Sequence, residues 1–256
     1  LDRCISLFCG RCGQVKIDRP DIELLGPHRL TEEHRIRQLD VEFQRVGIDQ
    51  GTVDNSGSIR TTVTAADDDS NLFASGIHID GNVGVYDEFI EGEITAMVVN
   101  TGDITVDATQ QGLYDDGYEG DVLAAGISVG FGESMDPVIV GGAGTTATID
   151  NQGDIRVTGI GKDDDGAVLV AGIGIAGDLG DDSMILELLP VGFGNGNILN
   201  SGLIDVSADS EYYAAASGIH IEGSAVNGAI TNSGTIEVDS AGYIADAAGI
   251  YIGNQL

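Results

Sequence analysis

The chain has 256 residues, with 42 acidic against 11 basic side chains and a formal net charge of -31 at pH 7. A negative field of that size repels nucleic acid and anionic lipid, which excludes both as partners. Thirty-nine glycines, no Trp and 5% aromatic residues do not describe an ordinary enzyme core, yet 42% hydrophobic residues and a mean hydropathy of +0.08 are too apolar for a disordered acidic chain.

Residues 1–50 stand apart. They hold 8 of the basic residues, all 3 cysteines and only 4 of the 39 glycines, and are nearly neutral at -1. The start, LDRCISLFCG, lacks the basic residues and long apolar core of a signal peptide, as in a chain whose leader is absent or removed. Three readings fit Cys4, Cys9 and Cys12. Cys9 and Cys12 with His28 and His34 match the loose spacing of a zinc site, a disulfide competes in a secreted chain, and free thiols account equally for an odd count. Segment 31–46, TEEHRIRQLDVEFQRV, carries both a helical stripe (Ile36, Leu39, Phe43, Val46) and a strand alternation (Leu39, Val41, Phe43), and reads slightly better as a strand leading into residues 51–256.

Residues 51–256 carry only Arg60, Arg156 and Lys162 as basic residues, and they repeat. One motif occurs as VDNSGSIRT (53–61), VVNTGDITV (98–106), IDNQGDIRV (149–157), ILNSGLIDV (198–206) and ITNSGTIEV (230–238). Asn55, Asn100, Asn151, Asn200 and Asn232 are each followed two residues later by Gly and four residues later by Ile59, Ile104, Ile155, Ile204 and Ile236. A second motif follows each copy: ASGIHI (74–79), AAGISV (124–129), VAGIGI (170–175), ASGIHI (216–221) and AAGIYI (247–252). It supplies Ile77, Ile127, Ile173, Ile219 and Ile250.

The Asn-to-Asn periods are 45, 51, 49 and 32 residues. A helical repeat does not tolerate that variation, whereas a β-solenoid places insertions in corner loops. Within ITNSGTIEV the apolar residues alternate with polar ones, the period of a strand, and Asn-x-Gly marks a corner because both residues tolerate left-handed backbone. The expected fold is therefore all-β: a right-handed parallel β-helix, a three-sided β-solenoid of about five large repeats, with a distinct N-terminal segment. One coil per repeat is the first reading, and two coils of about 24 residues in each long repeat the alternative. At ~4.8 Å per coil, five coils stand about 24 Å tall. The asparagines form a ladder at one corner and the ten isoleucines form core ladders.

Acidic runs recur between the two motifs: Asp67–Asp69, Asp115–Asp116, Asp163–Asp165, then Asp209 with Glu211, and Asp246. Clustered carboxylates can hold Ca²⁺, but the calcium nonapeptide of β-rolls and the EF-hand loop are both missing, so a solvated edge is the plainer reading. No resident cofactor is expected. His78 and His220 share a repeat position that points outward. GFGNGN (192–197) and GGAG (141–144) lack the Lys-Ser/Thr of a phosphate loop and read as loop insertions.

Runs of I-x-N-x-G-x-I, each followed by A-x-G-I-x-I, resemble the β-helical passenger regions of bacterial autotransporters and related surface proteins over residues 51–256. That resemblance implies secretion to the extracellular space or bacterial cell surface, a right-handed parallel β-helix, and adhesive or structural roles. It brings no catalytic residues. The chain departs from those proteins in having no translocator barrel after its repeats and in residues 1–50, which match nothing in such passengers.

Residues 1–50 are expected to be a cap or an inter-subunit docking element, and residues 51–256 the solenoid. The leading expectation is a non-catalytic structural or adhesive fibre protein that joins itself head to tail, in which deleting residues 1–30 leaves a folded chain that does not polymerise. Its partners are itself and a cell-surface or matrix ligand, and it is not embedded in a membrane. A monomeric adhesin passenger fragment is the alternative. A polysaccharide-acting β-helical enzyme comes third, because three cations are a thin supply for acidic-sugar chemistry.

Overall fold

A computed structural model describes residues 7–9, 12–15, 48, 51–65, 71–84, 94–111, 120–131, 138–142, 144–162, 166–180 and 194–253. Strands β1 (Leu7–Cys9) and β2 (Cys12–Val15) pair as a short antiparallel hairpin in which Cys9 stands opposite Cys12 along the backbone. Cys4, His28, His34 and segment 31–46 lie outside the described residues.

Each repeat contributes three strands. The first supplies β3 (Gly51–Asn55), β4 (Ser58–Ala65) and β5 (Leu72–Ile79). The second supplies β6 (Ile94–Asn100), β7 (Asp103–Gln110) and β8 (Val122–Val129). A two-residue strand β9 (Ile139–Val140) precedes the third set, β10 (Thr145–Asn151), β11 (Asp154–Gly161) and β12 (Ala167–Ile175). The short β13 (Asp178–Leu179) precedes β14 (Asn195–Asn200), β15 (Leu203–Ser210) and β16 (Tyr213–Ile221). The last set is β17 (Ala229–Asn232), β18 (Thr235–Ala241) and β19 (Ile244–Ile252).

The fold is all-β. Its three main sheets each have five strands, in the orders β17-β14-β10-β6-β3, β18-β15-β11-β7-β4 and β19-β16-β12-β8-β5. Every pairing within them is parallel, and each sheet takes one strand from each repeat, an arrangement consistent with a parallel β-solenoid having one coil per repeat. Inward residues of all three sheets form one apolar cluster that includes Val98 and Ile149 of the first, Ile104 and Ile155 of the second, and Ile127 and Ile173 of the third. Ile and Val suit these positions because their branched side chains pack well on a pleated surface.

The third sheet departs from simple alternation. In β5 both Gly76 and Ile77 turn toward the core, and the same Gly-Ile pair recurs in β8, β12, β16 and β19. A Cβ added at Gly76 would strike Ile104 of the neighbouring coil; Gly126 stands likewise against Ile155, Gly172 against Ile204, and Gly218 against Ile236. The second motif needs its glycine because the isoleucine of the first motif, one coil further on, occupies that space.

A short fourth ladder runs beside these sheets, which the three-sided reading does not contain. Its rungs are Ile48, Val83, Val140, Leu179 and Ala225, one ahead of each coil. Val83, Val140 and Leu179 are fully buried. Gly84, Gly141 and Gly180 follow them at φ +67°, +86° and +82°, the left-handed region that lets the chain turn into the first sheet. Residues 195–197 of GFGNGN belong to β14, not to a loop insertion: a Cβ at Gly196 would strike the Val140 carbonyl, so glycine is what lets this strand start close to the fourth ladder.

Candidate functional site

Three features carry chemistry: the asparagine corner, the outer face of the third sheet, and the two end coils. At the corner, the five asparagines lie in register. Asn55 Nδ2 donates to Asn100 Oδ1, Asn100 to Asn151, Asn151 to Asn200, and Asn200 to Asn232, each at 2.7 Å. Their backbone carbonyls are used as well. Asn55 O accepts from Thr101 N at 2.8 Å and Gly102 N at 3.1 Å, and the pattern repeats at Asn100, Asn151 and Asn200. Asn100, Asn151 and Asn200 are buried, so the ladder satisfies polar groups that would otherwise be stranded in the stack.

The ladder has a direction. Oδ1 of Asn55 accepts from Gly57 N at 3.2 Å, and Nδ2 of Asn232 donates to the Gly234 carbonyl at 3.4 Å. Among the described residues no further asparagine continues the ladder beyond Asn55 or Asn232, and Asn55 is buried whereas Asn232 is exposed.

The core ladders differ along the stack. Ile104, Ile155, Ile204, Ile127, Ile173 and Ile219 are fully buried, and Ile77 is buried at the edge. Ile59 and Ile236 are half-buried, whereas Ile250 is 44% and Ile252 45% exposed. The cause is position: nothing among the described residues covers the last coil, and Tyr243 there is 84% exposed.

On the outer face of the third sheet, Phe131 folds over Gly174 and packs with Leu123, Ala125, Ala171, Phe73 and Leu169. Beside it a groove of about 520 Å³ is lined by Phe131, Tyr213, Ser217, His220, Asp246 and Tyr251 among others. His220 stacks on Tyr251 with ring centres 4.7 Å apart, and its Nε2 lies 2.9 Å from Glu222 Oε2. The Tyr213 hydroxyl donates to Asp246 Oδ2 at 3.2 Å. Burial, then this bond and the charges of Asp246 and Tyr251, raise the Tyr213 pKa above its usual value. No sequence motif marks this groove; of the apolar outward column Phe73, Leu123, Leu169, only Leu169 lines it.

His78 is exposed, while His220 of the same outward column is half-buried. The His78 ring sits edge-on to Phe73 at 5.1 Å, and its Nδ1 is 3.0 Å from Ser128 Oγ, which itself donates to the Phe131 carbonyl at 2.6 Å. Desolvation lowers the His78 pKa below 6.5, opposed by the charge of Asp80. A group whose folded pKa is lowered costs stability as pH falls through its unfolded value. His78 is therefore expected to titrate below 6.5 in an NMR pH series, and lower still in Asp80→Asn; an unchanged value in that variant would remove Asp80 as a cause.

The three cations of residues 51–256 all meet aspartates: Arg60 with Asp107 at 3.0 Å, Arg156 with Asp154 at 2.8 Å, and Lys162 with Asp209 at 3.6 Å. These pairs are exposed and contribute little to stability. Among the described residues no group of three His, Cys, Asp or Glu side chains is placed to hold a metal ion, and no helix is long and apolar enough to cross a membrane. The runs Asp67–Asp69, Asp115–Asp116 and Asp163–Asp165 lie outside the described residues.

No family model, curated protein or solved structure matches this chain.

Proposed function

We propose that this is an extracellular, non-catalytic structural protein of a bacterial cell surface, a right-handed parallel β-helix whose copies join head to tail into an adhesive fibre. A right-handed coil is the hand that parallel crossover connections almost always take. The observation that carries the reading is the direction of the asparagine ladder. Along the described repeats every asparagine bond runs the same way, from Nδ2 of one repeat to Oδ1 of the next, so the Asn55 side and the Asn232 side differ and a contact between them would continue the ladder and not pair like with like. An interface of that kind joins head to tail, and when its rotation does not close it builds a filament. The exposed Ile250 and Ile252 add an apolar surface that end-to-end contact would bury.

In negative-stain electron microscopy the purified chain should form long uniform fibres, in calcium and in EDTA alike. Discrete short rods at every concentration would overturn the fibre. They would favour the second reading, a monomeric adhesin passenger, for which the groove between Phe131 and Tyr251 offers a place for a ligand. Fibres lost only in EDTA would move the acidic runs from a solvated edge to a metal-dependent role.

A further inference from the structure

The groove on the third sheet follows from the slip at Gly-Ile. Ser217 and Ala248 lie side by side on β16 and β19, facing outward. Simple alternation would put the next outward side chains two residues on, about 7 Å away. Because Gly and Ile both face inward, the next outward pair is His220 and Tyr251, three residues on and about 10 Å away. The slip thus opens a furrow across the strands, floored by small side chains. At β12 Phe131 lies over Gly174 and closes it, whereas at β16 and β19 it stays open as the groove.

Two carboxylates flank this furrow without a basic partner. Asp246 accepts from the Tyr213 hydroxyl, and Glu222 meets His220. No Lys or Arg lines the groove, and Arg60, Arg156 and Lys162 are paired with aspartates elsewhere. Ser217 is a second, separate sign of a ligand. It is only 6% exposed and lines the groove, yet its hydroxyl has no partner among the described residues. Buried hydroxyls ordinarily have one.

We propose that this groove binds a cationic side chain, an arginine or lysine presented by a basic peptide segment of another protein. Such a side chain carries an apolar stem under a charged head. The stem suits Leu169, Ala215 and Ala248, and the head suits Asp246, Glu222 and the half-exposed ring of Tyr251. A neutral sugar would leave both carboxylates uncompensated, and an acidic glycan would be repelled. The site gives the adhesive role a place on the molecule. It stands apart from the fibre reading, since the groove faces outward from a sheet.

The test is an NMR titration of the full chain with the peptide acetyl-Ala-Arg-Ala-amide, followed at the His220 ring. The signals should shift and saturate. The same peptide with citrulline in place of arginine keeps the shape and loses the charge, and should bind at least about tenfold more weakly. Asp246→Asn and Glu222→Gln should each weaken the arginine peptide about tenfold, and Ser217→Ala about threefold. Asp239→Asn removes an exposed carboxylate from a different sheet and should stay within about twofold of the parent. Melting curves should show every variant folded. Equal binding of the citrulline peptide, or equal weakening by Asp239→Asn, would overturn the site by reducing it to general attraction toward an acidic surface. Saturable shifts with cellobiose and none with the arginine peptide would overturn it in favour of a sugar site. All of these results are independent of whether fibres form.

Discussion

Asn151→Ala is expected to destabilise the protein by about 4 kcal/mol, far more than the same change at the end of the ladder. Asn151 is fully buried in the middle of the corner. Its Nδ2 donates to Asn200 Oδ1 at 2.7 Å and to the Gly153 carbonyl at 3.1 Å, and its Oδ1 accepts from Asn100 Nδ2 at 2.7 Å. Alanine removes all three bonds and strands a donor on one side and an acceptor on the other, each costing ~1–3 kcal/mol in a buried site. Asn232 is exposed and has a ladder partner on one side only, so Asn232→Ala should cost about 1 kcal/mol. Urea unfolding of both variants checks this, and equal losses would show that the ladder does not act through burial. Because each repeat pairs only with the repeats next to it, the central variant should also lose cooperativity, splitting one transition into two.

Gly126→Ala should cost about 3 kcal/mol, unusual for adding a single methyl group. The added Cβ strikes Ile155 Cγ2, and it comes within 2.7 Å of the Gly172 carbonyl, which the sheet holds in place. A side chain can rotate away, but a backbone carbonyl in a parallel ladder cannot move without breaking its own pairing. For a chain of this length the melting temperature should fall by about 8 °C. Gly249→Ala is the control. The same motif position with open space beyond it should give a change near zero in the dispersed protein. A large loss at Gly249 would mean that the glycine serves backbone conformation and not packing between coils.

Both predictions rest on residues that stand out in the sequence, because a stacked coil writes its constraints at one position per repeat. Asn-x-Gly-x-Ile is readable since the corner needs a side-chain amide, a residue without a Cβ and then an inward branched side chain at fixed offsets. The same reasoning does not reach the fourth ladder. Val83, Val140 and Leu179 are single apolar residues in spacers of unequal length, with no alternation to mark them. Their glycine partners Gly84, Gly141 and Gly180 are lost among 39 glycines. Period-two reasoning also cannot find the slip at Gly-Ile, where two consecutive residues face inward.

The outer groove is harder still to foresee. Phe131 lies after β8 yet covers Gly174 on β12, approaches His220 on β16 and packs with Phe73 of β5, so its surroundings come from three other repeats as well as its own. His78, Ser128 and His220 hold equivalent positions in the repeat, yet one is exposed, one buried and one half-buried. What separates them is which neighbour projects over each.

The sequence by itself determined the repeat, its strand character, its corner and the residues that recur along the stack, because these depend on local backbone preference and on side-chain period. Only the tertiary structure decided that each repeat gives one strand to each of three parallel sheets, that a fourth ladder precedes each set of strands, and which repeated isoleucines are covered. Burial depends on what lies on the next coil. Ile219 and Ile250 occupy the same place in the same motif, but Ile219 has a paired strand on either side, while among the described residues Ile250 has one on one side only.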